Sequence, residues 1–211
     1  MNMHTSLSGE YKIIVSRAGV VVQETEWFDN LVLNSGLDMI GYSQAPVAVC
    51  RVGTGTSPVE ETDIYLQSPI ATYANGSSSA FINDGAPTYA ATHTLQYTFT
   101  QGSVIGNISE VGVTYSSSLA APMFSRALIT DGLGNPTTIT LIAIDQLTVF
   151  YKIKTIPSLL ETSSTFQISG ENFSFKSKLA NAAGFGGGVY SMGTLLVPAS
   201  IIYYSASAAS A

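Results

Sequence analysis

Glu10-Tyr11-Lys12-Ile13-Ile14-Val15-Ser16-Arg17-Ala18-Gly19-Val20-Val21-Val22-Gln23-Glu24 carries the pattern that decides the fold. Two runs rich in β-branched residues flank Ser16-Arg17-Ala18-Gly19, and the glycine can take the positive φ of a tight hairpin. The stretch therefore predicts two antiparallel strands. The same period of two returns in Leu95 to Phe99 and in Val111 to Tyr115. It is clearest further on, where Leu147, Val149, Tyr151 and Ile153 line one face and Thr148, Lys152 and Lys154 the other. Asn75-Gly76 and Asp84-Gly85 predict turns, and Asp131 to Pro136 predicts a hairpin between Phe124–Ile129 and Thr138–Ile142. Strand-like segments continue through Thr165 to Phe175, Val189 to Val197 and Ile201 to Tyr204.

Helical signals are confined to two places. Asp29-Asn30 precede Leu33, Leu37 and Ile40 at i, i+4, i+7, with Gly41 following, which predicts a short capped helix over 30–41. Ser57-Pro58-Val59-Glu60 has the form of an N-cap, a first-turn proline and a reciprocal N3 glutamate, which predicts a second over 58–66. The expected fold is thus all-β, mainly an antiparallel sandwich or jelly-roll-like domain, with these short helices. Acidic residues cease after Glu171, and Ser, Ala and Gly rise beyond Pro157. We therefore expect a core domain over 1–156 and an uncharged β-rich region or arm over 157–211 that contacts neighbouring subunits.

The 211 residues hold 8 Lys+Arg against 14 Asp+Glu, a net charge of −6. Only 10% of them are charged, where about 25% is usual, so long stretches of surface must lie without charge. Much of that surface is expected to meet protein. The acidic balance and scattered Lys/Arg speak against nucleic acid, which calls for a basic stripe. From Leu179 to Ala211 there is no charge at all, yet glycines, serines and Pro198 keep apolar runs below the roughly 18 residues of a spanning helix. No membrane insertion is expected. The N-terminus lacks a basic n-region and an apolar h-region, which predicts synthesis in the cytoplasm without a signal peptide.

No pattern for catalysis, cofactor or metal emerges, and the expectation is a protein that is not an enzyme. His93 in Thr92-His93-Thr94 has no nucleophile elbow beside it, and His4 lies near a terminus. Cys50 is the single cysteine, so neither an internal disulfide nor a cysteine-based metal cluster can form, and a buried inert thiol is expected. Glu60, Glu61 and Asp63 lack the loop pattern of a calcium site and are read as a helix's first turn. Gly53-Thr54-Gly55 lacks the Gly-Lys-Ser/Thr of a phosphate loop. Glu110 and Asp145 are left as a carboxylate pair whose separation would decide glycosidase chemistry, with an ion pair from Glu110 to Arg126 preferred. Lys152, Lys154, Lys176 and Lys178 read as a solvated or edge-protecting face. Three Asn-x-Ser matches, at Asn75, Asn107 and Asn172, read as chance in a Ser-rich chain. The eleven tyrosines suit core and interface roles better than sugar stacking.

The order of segments adds a resemblance. Trp27-Phe28-Asp29-Asn30-Leu31-Val32-Leu33-Asn34-Ser35-Gly36-Leu37-Asp38 comes first, followed by Val52-Gly53-Thr54-Gly55 and Ile108-Ser109-Glu110-Val111-Gly112-Val113. Phe124-Ser125-Arg126-Ala127-Leu128-Ile129 and Leu147-Thr148-Val149-Phe150-Tyr151 complete the set. Over about residues 9 to 154 this series resembles structural proteins of tailed-bacteriophage virions, of tail or tail-fibre type. The resemblance implies a non-enzymatic, β-rich subunit of the virion tail, neck or fibre, made in the host cytoplasm and present in several copies. Its expected partners are itself, as a trimer or a ring of six or twelve, and other virion tail or neck proteins. A receptor-binding fibre module that recognises a host surface glycan is the alternative. Trp27, Phe28, Leu33, Leu37 and Ile40 are expected to anchor the short helix on the sheet.

Overall fold

The structure, a computed structural model, describes residues 5–42, 45–70, 72–83, 90–157, 162–168 and 171–177. The opening hairpin joins β1 (Thr5–Arg17) to β2 (Val20–Glu24), with Arg17 opposite Val20. Ala18 and Gly19 form the two-residue connection, both at positive φ (50° and 79°), as a tight hairpin requires. Next come β3 (Phe28–Asp29), β4 (Leu31–Val32), α1 (Asn34–Tyr42), β5 (Val49–Gly53), β6 (Ala74–Asn83), β7 (Ala91–Thr98), β8 (Gly106–Ile108) and β9 (Glu110–Thr114). The remaining strands are β10 (Met123–Leu128), β11 (Ile139–Leu141), β12 (Asp145–Pro157), β13 (Thr162–Ile168) and β14 (Glu171–Ser177). The chain is all-β with one short helix among its described residues.

Ten strands form one antiparallel sheet in the order β2-β1-β12-β7-β6-β5-β9-β10-β4, with β3 on β1. Only Asn30 separates β3 from β4, yet β3 pairs with β1 (Tyr11 opposite Phe28) and β4 with β10 (Arg126 opposite Leu31). Residues 28–32 therefore stitch the two sides together and the sheet curls into a closed ring. Closure removes the exposed edges that an open sheet would present. Among the described residues β2 continues past the ring, attached to β1.

Alternation fills the interior. Tyr11, Ile13 and Val15 of β1, Leu147 to Ile153 of β12 in alternation, Leu95 and Tyr97 of β7, Cys50 and Val52 of β5, and Val111 and Val113 of β9 make one continuous core. The tyrosine hydroxyls buried there all find partners. Tyr11 and Ser125 hydroxyls lie 2.7 Å apart, Tyr97 donates to the Val47 carbonyl at 2.5 Å, and Tyr151 accepts from Asn30 Nδ2 at 3.2 Å. Strands β5, β9 and β10 are buried on both faces, because the 54–70 segment and α1 cover them from outside.

Several local expectations give way to tertiary packing. The helix begins at Asn34, four residues later than expected, because Phe28 to Val32 is drawn into strand pairing. Its first intrahelical bond runs from Leu37 N–H to the Leu33 carbonyl, so Asp29 and Asn30 do not cap it. Leu33 and Met39 are fully buried and Ile40 packs on the core, whereas Leu37 is 50% exposed. The inward face contains Gly36, where a Cβ would stand 2.0 Å from the Phe124 carbonyl oxygen. Residues 58–66 form no helix; they are an irregular loop. Asn75-Gly76 lies inside β6 rather than in a turn, and Asp84-Gly85 falls outside the described residues. β11 pairs with β8 instead of β10, and the expected hairpin is reduced to a Thr130–Pro136 bridge with flanking bonds from Thr137 N–H to the Ile129 carbonyl and from Asp131 N–H to the Asn135 carbonyl. Residues 178–211, with their expected strands and intersubunit contacts, lie outside the described residues, and β13 and β14 pair with each other.

Candidate functional site

The densest polar cluster of the described residues sits between the outer face of β9–β10 and the 54–70 segment. Alternation on β9 and β10 sends Val111, Val113 and Ala127 inward, so Glu110 and Arg126 point outward, Leu128 standing opposite Glu110 and Gly112 opposite Arg126. They are nonetheless sealed, with Glu110 0% and Arg126 2% exposed. Nε of Arg126 donates to Oε2 of Glu110 at 2.9 Å, and its Nη1 donates to Oδ2 of Asp63 at 2.7 Å. A third nitrogen, Nη2, donates to the Ser57 carbonyl at 3.2 Å.

Glu110 is saturated. Its Oε1 accepts from Gly55 N–H at 3.0 Å and Ser68 N–H at 2.8 Å, and its Oε2 also accepts from Gln67 N–H at 3.0 Å. The carboxylate thus gathers three backbone donors that no strand partner would satisfy. Gly55 permits the approach, since a Cβ there would meet Oε1 at 2.5 Å. Gln67 Oε1 binds Thr56 and Ser57 N–H at 2.7 and 2.8 Å. Together these bonds fold 54–70 into a pad whose Leu66 packs with Leu33 and Met123. Glu60 forms no capping box; its N–H donates to Asp63 Oδ2 at 3.0 Å, and Asp63 is drawn to Arg126 instead. Chemically the cluster is a clamp. Every acceptor site on Glu110 facing the chain is filled by a structural donor.

Asp145, the other carboxylate singled out, sits at the far end of β12. It accepts from Arg17 Nε at 2.8 Å and Ile142 N–H at 2.9 Å. The Arg17 bond first and the Ile142 bond second hold its carboxyl below the usual aspartate value. It joins the β1–β2 turn to the β11–β12 turn, and its ion pair is with Arg17 while that of Glu110 is with Arg126. Lys152 pairs with Glu10 at 2.8 Å and lies 3.8 Å over the ring of half-buried Trp27, while Phe28 is buried 6.0 Å from Tyr11. Trp27 and Phe28 thus lie along β1, and Phe28 shares the core cluster that takes in Met39 of α1. Lys178 and the Lys176 side chain lie outside the described residues.

Cys50 is buried in the core, and burial pushes its thiol far above the ordinary value. His93 is largely buried on β7, and desolvation lowers its imidazole below the ordinary value. Arg51, which no sequence pattern marked, is 2% exposed on the outer face of β5. Its Nη2 donates to the Ser117 carbonyl and its guanidinium lies 5.7 Å from the Tyr73 ring, while Nε and Nη1 find no acceptor among the described residues. Burial lowers its affinity for the proton. Among the described residues no group of three or more His, Cys, Asp or Glu is placed to hold a metal ion, and no helix is long and apolar enough to cross a membrane.

Large aliphatic side chains are exposed in clusters. Val20, Val21 and Val22 of β2 are 66%, 52% and 48% exposed, and Ile105, Ile142 and Ile144 lie open around the β8 and β11 ends. No family model, no curated protein and no solved structure matches the chain.

Proposed function

We propose that the chain is a structural subunit of a tailed-bacteriophage virion, in its tail, neck or fibre region, assembling as a homo-oligomer and contacting other virion proteins. The observation that carries the reading is how the chain allocates its charge. Glu110, Arg126, Asp63, Arg17 and Asp145 are all engaged in holding the fold, while large aliphatic residues such as Val20, Ile105 and Ile144 stand exposed. Such a surface associates with little ion desolvation, which suits permanent assembly. The ordered segments from Trp27 to Tyr151 support the virion assignment by resemblance. A closed ring whose loops are pinned by buried bonds supports a rigid building block.

Native mass spectrometry across a dilution series tests the assembly. A closed species that persists on dilution is expected, with three copies pointing to a fibre and six or twelve to a ring around the tail axis. A monomer at every dilution overturns the homo-oligomer. Exposed Tyr73 beside Arg51 favours one second reading, a fibre module that stacks on a host surface glycan. Saturable glycan binding abolished by Tyr73→Ala would establish it, and no binding would leave the scaffold alone.

A further inference from the structure

One end of the ring is apolar, and the exposed aliphatics found separately above meet there. Ile142 to Asp145 is a turn closed by Asp145 N–H on the Ile142 carbonyl at 2.9 Å. Leu141 stands opposite Gly106, so Ile142 and Ile105 are the next residues of that pairing. Asp145 stands opposite Arg17, and Arg17 opposite Val20. With neighbouring strands about 4.8 Å apart, Ile105, Ile142, Ile144, Val20, Val21 and Val22 fall within a rim roughly 20 Å across. The ion pair that crosses it, Arg17 to Asp145, is internally neutralised.

The rim also offers backbone. Among the described residues β2 is hydrogen-bonded on one side only, and Val20-Val21-Val22 carries none of the lysines, prolines or inward charges that normally guard an edge strand. An unguarded, β-branched edge is a template for an added strand. The chain itself contains a segment with matching chemistry. Residues 192–204 include Leu195-Leu196-Val197 and Ile201-Ile202-Tyr203-Tyr204, within the stretch from Leu179 to Ala211 that has no charge.

The place where the chain leaves the ring favours a neighbour's segment over its own. β12 starts at Asp145, on the rim, and ends at Pro157 opposite Thr5. Thirteen strand residues place the exit about 40 Å away, at the opposite end. In a head-to-tail arrangement, the exit end of one copy lies beside the rim of the next, and no doubling back is needed. We propose that the uncharged segment around 192–204 of one copy docks on the apolar rim of a second copy and adds a strand to its β2 edge. This rests on the homo-oligomeric reading above and names the contact that would build it.

The test uses full-length chains carrying Val21→Cys or Ile202→Cys, with buried Cys50 left in place, mixed and gently oxidised. Mass spectrometry of the intact products should show a Val21→Cys chain disulfide-linked to an Ile202→Cys chain as the main species. A predominant link between two Val21→Cys chains would mean that β2 edges pair with each other, and would overturn the proposal. So would an intrachain link in a chain carrying both substitutions, which would show the segment folding back on its own rim. Val21→Lys, at an exposed position that tolerates charge, should raise the concentration at which the oligomer dissociates at least tenfold, as should deletion of 192–211. If the full chain oligomerises and neither change moves that concentration, the docking falls and the homo-oligomer stands. If the full chain is a monomer throughout, both fall.

Discussion

Glu110→Gln preserves the shape of the buried side chain while removing its charge and one acceptor. The amide oxygen can replace Oε1 toward Gly55 and Ser68, but the amide nitrogen then faces two donors, Gln67 N–H and Arg126 Nε. The flipped amide confronts Gly55 and Ser68 instead. Either way two buried donors lose their acceptor, and Arg126, 2% exposed, retains only Asp63 as a counter-charge. Breaking a buried pair by removing one partner costs about 3–5 kcal/mol. Because Asp63 still binds Nη1, the lower end, about 3 kcal/mol, is expected. For a chain of this size that lowers Tm by about 6–12 °C. Thermal unfolding by circular dichroism measures it, with Glu60→Gln as the exposed control, expected within about 0.5 kcal/mol of the parent. A Glu110→Gln shift below about 2 °C would refute the clamp.

Three further expectations concern the fold. Met39→Ala should cost about 2–5 kcal/mol while Leu37→Ala costs less than about 1, since Met39 is fully buried and Leu37 half exposed; urea unfolding showing the reverse order would restore the periodicity reading of α1. Gly36→Ala places a methyl 2.0 Å from the Phe124 carbonyl and should destabilise by about 2–3 kcal/mol, so an unchanged urea midpoint would contradict the backbone contact between α1 and β10. Asp145 has a depressed folded pKa, so its contribution is complete above the unfolded value near about 3.9 and fades as pH falls through the folded one. Tm should hold from about pH 7 to 5 and drop below about pH 4, with a shallower drop in Asp145→Asn; identical profiles would remove Arg17–Asp145 from the account.

What could be read in advance was whatever depends on neighbours in sequence. The β1–β2 hairpin was legible because Gly19 and the flanking β-branched runs are local, and β12 because its alternation is long and regular. The class of fold followed from these. The Glu110–Arg126 pair was within reach because two opposite charges stood on adjacent short strands in an uncharged chain. The Ser57 to Glu60 signal misled because Gly55, Gln67 and Ser68 N–H are satisfied by Glu110, which holds the segment as a loop. Asn75-Gly76 misled because Gly76 is demanded by packing: a Cβ there would stand 2.7 Å from the Tyr97 ring. Gly36 hides the inward face of α1 from any apolar pattern, since that face meets a backbone. The closure of the ring through residues 28–32 depends on two partners more than a hundred residues apart, Tyr11 and Arg126, and no local pattern encodes it.

The most direct measurement of the proposed virion role is quantitative mass spectrometry of tailed-phage particles purified from a lysate in which the chain is made. The account predicts that the chain co-purifies with intact particles at a fixed copy number, a multiple of three or six, and stays with tails after the DNA is released. Its absence from particles that remain complete and infectious would contradict the claim.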